Sequence, residues 1–384
     1  MTNKIVLATA LTGARYSPWL LKDTKDVALD PKFYAQHMPI TPEQVTQDVR
    51  GSYTYGARFF HVHARNPQTG AQWANLDWYD KVAQGIREID PNVVISFPTS
   101  RKMEVGKGIE DRLKLLEMIQ KNSPGRVDRA YAEFKVRGVA VEAHPDTLTT
   151  FTVPEVTMLG NLKNRLGVEE TPGWTDPEVM KLYYEFLIQR TKELGVMQEI
   201  EITTMGQFDV LKRMAESGKY HMDAPMHFVV LLGFSDGLPI DKKTYEVALK
   251  EIEDLRKGVE HPAVITVGAV IPPQKAKKES SIRFEPGKHD YHEVMQWVTD
   301  DHRVGLFRVG LEDTPELYGK QRKNAELVAH AAEFFDKKGV EIVTDAHVLR
   351  EAFGLPYKPT SEIKPVSALK NLLEDVISKL FPNK

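Results

Sequence analysis

Short runs of β-branched and aromatic residues alternate along this chain with longer stretches whose apolar positions recur at i, i+3, i+4 and i+7. The short runs predict strands at 4–10 (KIVLATA), 58–64 (RFFHVHA), 92–97 (NVVISF), 129–134 (RAYAEF), 198–203 (QEIEIT), 226–232 (MHFVVLL), 263–269 (AVITVGA) and 304–310 (VGLFRVG). The stretches between most of them have the helical period. One helix is expected from Thr41 to Tyr55, with Thr41 as N-cap, Pro42 in the first helical position and Gln44 completing a capping box. Another, KLYYEFLIQRTKELGV, closes on Gly195 as its C-cap.

Strand–helix alternation implies a parallel sheet, and eight such units imply a closed barrel. The expected fold is therefore α/β, a (β/α)₈ TIM barrel in one catalytic domain spanning 1–353. A bare barrel takes roughly 250 residues, so insertions are expected near 15–40, 137–175 and 270–287, with a C-terminal extension over 354–384. The second insertion has room for extra strands or a lid. Active sites of parallel barrels gather at the C-terminal ends of the strands, which directs attention to the strand-to-loop junctions.

Composition narrows the chemistry. With 384 residues, 27% charged and a formal net charge of -3, nothing draws the chain to nucleic acid or anionic lipid. No apolar run approaches the roughly 20 residues that span a membrane. The opening residues read as a strand rather than a signal peptide, so a cytoplasmic location is expected. Cysteine is absent. Thiolate nucleophiles and Cys-type zinc sites are thereby excluded, and any metal must sit on His, Asp or Glu, as catalytic zinc does. No GxGxxG follows a strand and no GxxxxGK[ST] occurs.

The sharpest motif is His61-Val62-His63 at the end of the second predicted strand. Alternate strand residues share a face, so both imidazoles can point into the barrel mouth and ligate one ion; paired, partly buried histidines are the alternative. A third ligand is expected from Glu312 or Asp313, directly after the last strand, unless these only serve the dipole of the next helix. Arg308 is placed to pair with Asp313 or to fork a substrate carboxylate. Glu199 and Glu201 share one face of the fifth strand, and Glu201, nearer its C-terminal end, is the better acid/base candidate. Thr99 and Ser100 after strand three, and Thr12 with Gly13 after strand one, are candidate substrate contacts. The run 275–279 (KAKKE) is a charged loop that a coenzyme phosphate could meet.

TALTGA at 9–14, HVHAR at 61–65, QEIEI at 198–202, PMHFVVLLG at 225–233 and GLED at 310–313 occur in this order, and together they resemble the β-keto acid cleavage enzymes. The resemblance implies a zinc-dependent barrel, commonly a homotetramer, that converts a β-keto acid and acetyl-CoA into acetoacetate and a new acyl-CoA. It further implies that His61, His63 and Glu312 hold the zinc, that Asp313 and Arg308 are the acidic and basic catalytic partners, and that Glu201 is the fifth-strand carboxylate. Manganese, cobalt or iron would accept the same His₂Glu set. The chain departs from the family where Pro98-Thr99-Ser100-Arg101 replaces a Ser-Thr-Gly-Gly turn, and where Ala130-Tyr131-Ala132-Glu133 replaces a Thr-Leu-Asn-x-Gly segment. Arg15 stands where a member acting on an ammonium substrate has glutamate, which points to a neutral or anionic substrate tail. Rival readings are a divalent-metal aldolase, an amidohydrolase-type hydrolase and a metal-binding barrel without activity.

Overall fold

The computed structural model describes residues 4–12, 37–68, 76–98, 147–151, 197–216, 226–233, 237–259, 263–271, 291–318 and 320–355. Eight strands form a parallel sheet in chain order: β1 (Lys4–Ala10), β2 (Ala57–His61), β3 (Val94–Pro98), β4 (Thr147–Phe151), β5 (Met197–Ile202), β6 (Met226–Leu232), β7 (Ala263–Ala269) and β8 (Leu306–Val309). β1 pairs with β2 on one side and β8 on the other, so the sheet closes into the expected barrel. The described helices outside it are α1 (Pro42–Thr54), α2 (Leu76–Ile89), α3 (Gly206–Glu216), α4 (Lys242–Leu255), α5 (Tyr291–Thr299) and α6 (Asn324–Lys337). Beyond β8 come a small hairpin, β9 (Glu316–Leu317) with β10 (Lys320–Gln321), a short strand β11 (Glu341–Ile342) that adds to β1, and α7 (Ala346–Ala352).

The alternation of strand residues divides the apolar interior in two. Ile5, Leu7, Phe60, Ile95 and Phe307 face outward and pack under helix residues such as Val45, Val49, Leu327 and Phe335. Val6, Ala8, Phe59, Val94, Val264 and Leu306 face the barrel axis, where Leu349 and Phe353 of the α7 segment join them. Phe353 stacks on Phe59 with ring centroids 5.8 Å apart and meets His227 edge-on at 4.9 Å. This apolar plug closes the N-terminal end of the barrel. Two residues further along β2, β3, β7 and β8, and on β5, the inward positions turn polar: His61, Ser96, Thr266, Arg308, Glu199 and Glu201 are all buried.

The cap on α1 forms as its sequence dictates. Thr41 Oγ1 accepts from Gln44 N at 3.3 Å, and Gln44 Oε1 accepts from Thr41 N at 3.0 Å. The fourth strand differs from expectation. It is Thr147–Phe151, paired to β3 and β5, within the stretch read as an insertion. Its sequence, TLTTF, gets its strand preference from β-branched threonines more than from hydrophobicity. The candidate at 129–134 lies outside the described residues, as does the helix ending at Gly195. The segments expected as insertions at 15–40 and 270–287, and the extension from 354, lie outside them too, apart from 37–40, 270–271 and 354–355. Among the described residues no helix is long and apolar enough to cross a membrane.

His227 carries a stability consequence. It is fully buried between the plug and the polar layer, and its Nε2 lies 2.7 Å from Thr266 Oγ1. Burial, with the charge of Arg308 second, pushes its pKa down to about 3. The folded state thus binds it neutral, while the unfolded chain protonates it below its ordinary value of 6.5. The resulting stability is complete above pH 6.5 and is lost as pH falls toward 3, a term on the order of 5 kcal/mol at the acid limit. Urea unfolding of wild type and His227→Asn at pH 7 and pH 4 should give a stability gap that shrinks on acidification. A gap unchanged between the two pH values would refute this account of His227.

Candidate metal centre

The polar layer converges at the C-terminal mouth. His61 ends β2, and His63, two residues on, keeps the same facing. Their Nε2 atoms lie 3.0 Å apart. Glu312 reaches them from the other side of the barrel seam: its Oε1 is 3.1 Å from His63 Nε2 and its Oε2 is 3.8 Å from His61 Nε2. Ligand atoms of all three lie within 4.8 Å of one another.

Local sequence explains how Glu312 arrives there. Gly310, just past β8, has φ +145, and a Cβ at this position would overlap the Ala10 carbonyl. Only glycine lets the chain pass so close to the end of β1. The turn that follows is held by Glu312 N to Ala10 O at 3.3 Å and by Asp313 N and Thr314 N to Gly310 O at 3.1 and 2.9 Å. Asn324, buried at the start of α6, fastens the same turn: its Oδ1 accepts from Leu311 N at 2.8 Å and its Nδ2 donates to Leu11 O at 3.0 Å. Thr12 supports the opposite ligand. Its hydroxyl donates to His63 O at 2.7 Å and accepts from His63 N at 3.2 Å.

The donor set fits a divalent ion. Burial is the largest influence on His61 and drives its pKa well below the ordinary 6.5, so the ring is neutral and has a lone pair to give. The tautomer follows from its neighbours. Ser96 donates its hydroxyl proton to Glu199, leaving Ser96 Oγ to accept from His61 Nδ1 at 2.9 Å. Nδ1 therefore bears the proton, and Nε2 faces His63 and Glu312 with its lone pair. A carboxylate behind a ligating imidazole is the usual way a protein fixes ring orientation and basicity. Glu312 Oε2 is buried without a hydrogen bond among the described residues. Burial would raise the Glu312 pKa, but His63, Arg308 and His61 outweigh it and hold the carboxyl well below its usual range.

Arg308 lies beside this group on β8. It grips Asp313 in a fork, Nε to Oδ2 at 2.8 Å and Nη2 to Oδ1 at 2.9 Å, and reaches Glu201 Oε1 at 3.2 Å and Glu312 Oε1 at 3.3 Å. Burial opposes its charge; Asp313, Glu312 and Glu201 together raise its pKa well above the usual arginine value. Glu201 responds the other way. Burial pushes its carboxyl up to about 8 against the pull of Arg308, with Glu199, Glu312 and Asp313 adding to the rise. Among the described residues, the carboxylates of Glu199, Glu201, Glu312 and Asp313 thus face the guanidinium groups of Arg308 and Arg65, the latter buried and near enough for Glu312 to support its charge. With Glu201 protonated at neutral pH, the three ionised carboxylates leave one surplus negative charge, which favours a cation at His61, His63 and Glu312. Mutating the relay tests the fit: Ser96→Ala should weaken Zn²⁺ binding about 10- to 100-fold, measured by competition with a chromogenic chelator. Unaltered affinity would mean that Ser96 does not orient the ligand.

The fold and its mouth define an α/β barrel protein with two imidazoles and a carboxylate gathered for metal-assisted chemistry. The chain belongs to the beta-keto acid cleavage enzyme family, whose model matches residues 28–273. That span includes His61, His63, Glu199 and Glu201 and stops short of Arg308, Glu312 and Asp313. The chain is 25% identical over 360 residues to 3-dehydrocarnitine:acetyl-CoA trimethylamine transferase of Rhizobium meliloti (strain 1021), covering 91% of this chain and 97% of that one. It is 20% identical over 236 residues to 3-keto-5-aminohexanoate cleavage enzyme of Acetoanaerobium sticklandii, covering 62% of this chain and 65% of that one. In structure it is similar to apo ObcA, with TM-score 0.52 and 15% identity over 84% of this chain and 66% of ObcA, a likeness of fold.

Of the residues singled out in the sequence, the structure brings together His61, His63, Glu201, Arg308, Glu312 and Asp313. Thr12 sits beside them with its hydroxyl committed to the His63 peptide. Arg15, Thr99 and Ser100 lie outside the described residues, as does the 275–279 run. Ser96, Arg65 and Asn324 were missed. Ser96 had a signal: it is a lone hydroxyl at an inward position of an otherwise apolar strand. Asn324 lies after the motif on a helix start and had none. The fourth strand is Thr147–Phe151, and the 130–133 stretch singled out in the sequence lies outside the described residues.

Proposed function

We propose that this chain is a metal-dependent acyl-transferring C–C cleavage enzyme that takes a β-keto acid and acetyl-CoA to acetoacetate and a new acyl-CoA. The observation that carries the reading is the contact chain Glu199–Ser96–His61/His63–Glu312–Arg308–Asp313, a ligand set joined to an acid/base set within one barrel mouth. Family membership and the acetyl-CoA co-substrate in the name of the Rhizobium relative support it.

His61, His63 and Glu312 would hold the ion, zinc by its N/O donor set. Such an ion would supply Lewis-acid polarisation of a keto oxygen. Asp313, held beside the mouth by the Arg308 fork, takes the proton from C2 of the keto acid. Arg308 holds Asp313 in place and presents a positive charge to the anionic substrate. Glu201, protonated at neutral pH by its raised pKa, backs Arg308 and can return a proton. The C2 carbanion attacks the thioester carbonyl of acetyl-CoA and displaces the CoA thiolate. The thiolate adds to the former keto carbon, and the C2–C3 bond of the original acid breaks. The products, acetoacetate and R–CO–SCoA, account for every carbon of R–CO–CH₂–COO⁻ and CH₃–CO–SCoA. No protein nucleophile is needed, in keeping with the absence of cysteine.

Arg15 supports a neutral or anionic tail on the keto acid. Arg15→Glu should shift preference toward cationic tails; an unchanged ranking of tails would end that idea. The reaction is tested by incubating Zn²⁺-loaded protein with a panel of β-keto acids, with and without acetyl-CoA, and assaying acetoacetate. The expected result is acetoacetate only when both are present and none with His61→Ala. Keto acid consumption without CoA would favour an aldolase or hydrolase.

A further inference from the structure

A second cluster, outside the barrel mouth, has the geometry of a metal site. His292 is on the first turn of α5, His330 is midway along α6, and Tyr318 sits in the turn between β9 and β10. His330 Nε2 lies 3.0 Å from His292 Nε2, and Tyr318 Oη lies 2.5 Å from the same His292 nitrogen. The two histidines are half-buried and Tyr318 is exposed.

One imidazole nitrogen carries a single in-plane lone pair or a single N–H. It cannot make good hydrogen bonds to a phenol oxygen and to a second imidazole nitrogen at once. A cation between the three atoms satisfies them all. The spacing is near that of metal ligands: nitrogens about 2.0–2.1 Å from a tetrahedral zinc lie roughly 3.3–3.4 Å apart, so the 3.0 Å pair would open by a few tenths of an ångström around an ion. The same Nε2–Nε2 distance, 3.0 Å, recurs at His61 and His63.

The backbone gives a second, independent sign. Tyr318 has φ 53, the one non-glycine residue with positive φ among those described. A bulky side chain avoids that region because its Cβ crowds the backbone. Its ring stacks on His292 with centroids 5.0 Å apart and an interplanar angle of 30°. The strained turn thus brings the phenol onto the imidazole pair.

We propose that His292, His330 and Tyr318 bind a first-row divalent transition-metal ion, distinct from the one at the mouth. Imidazole donors suit zinc, copper and nickel. Bound there, the ion ties α5 and α6 to the β9–β10 hairpin, which continues the turn bearing Glu312 and Asp313. The site is a structural clasp rather than a reaction centre.

The test uses the full chain and Zn²⁺ as probe. Wild type should bind two ions per chain, and His330→Ala one. The His61→Ala/His63→Ala protein should also bind one, and adding His330→Ala should remove it. Tyr318→Phe, which keeps the ring stack, should weaken this binding at least tenfold, and far-UV circular dichroism verifies the fold of each variant. Zn²⁺ should raise the melting temperature of His61→Ala/His63→Ala by several degrees but not that of the triple variant. No Zn²⁺ bound by the His61→Ala/His63→Ala protein, or binding there that is indifferent to His330→Ala and Tyr318→Phe, would overturn the proposal. Neither result bears on the cleavage reaction.

Discussion

Replacing His61 with alanine should abolish tight Zn²⁺ binding at the mouth and reduce turnover to background. The expected loss of affinity exceeds the roughly 10- to 100-fold cost of removing an outer partner, because His61 contributes a direct donor and anchors the Ser96–Glu199 relay. Without the ion, the negative charge of Glu199, Glu312 and Asp313 is opposed, among the described residues, by Arg308 and Arg65. Isothermal titration with Zn²⁺ on a His330→Ala background isolates this site. Retained nanomolar binding there would show that His63 and Glu312 suffice, and the three-ligand account would be wrong.

Asp313→Asn should give a different loss. The amide cannot accept the C2 proton, and kcat should fall about 10²- to 10⁴-fold, the usual weight of a positioned base. Metal content and folding should persist, because Arg308 keeps Glu312 as an anionic partner at 3.3 Å and Glu201 as a hydrogen-bond partner at 3.2 Å. The buried guanidinium is therefore not abandoned, and the penalty of several kcal/mol for an unpaired buried charge is avoided. Exchange of the C2 protons of a β-keto acid into D₂O, followed by NMR, separates chemistry from binding. A variant that exchanges these protons as fast as wild type would move the base to Glu201.

Much of this site was legible in the chain. His61 and His63 announced themselves through strand alternation, which puts i and i+2 on one face whatever the tertiary context. Gly310, Glu312 and Asp313 were legible as a strand end, but the choice of Glu312 as ligand needed the closure of β8 against β1. Arg308 was placed correctly beside Asp313, and its contacts to Glu201 and Glu312 come from strands and turns far apart in sequence. Glu199 was visible as an inward carboxylate, while its partner Ser96 depends on the register of β2 with β3 (His61 opposite Ser96), which no local pattern encodes. β4 was obscured because threonine contributes β-branching without hydrophobicity. The second cluster was invisible for a related reason: His292, Tyr318 and His330 belong to three elements that meet only after the helices pack on the barrel.

The most direct test of the cleavage reading follows the carbons. Metal-loaded protein is given an unlabelled β-keto acid and acetyl-CoA carrying ¹³C in both acetyl positions, and the acetoacetate formed is analysed by ¹³C NMR. The account expects label at C3 and C4 of acetoacetate, none at C1 and C2, and an unlabelled acyl group on CoA. Acetoacetate without label, or cleavage of the keto acid with acetyl-CoA intact, would contradict it.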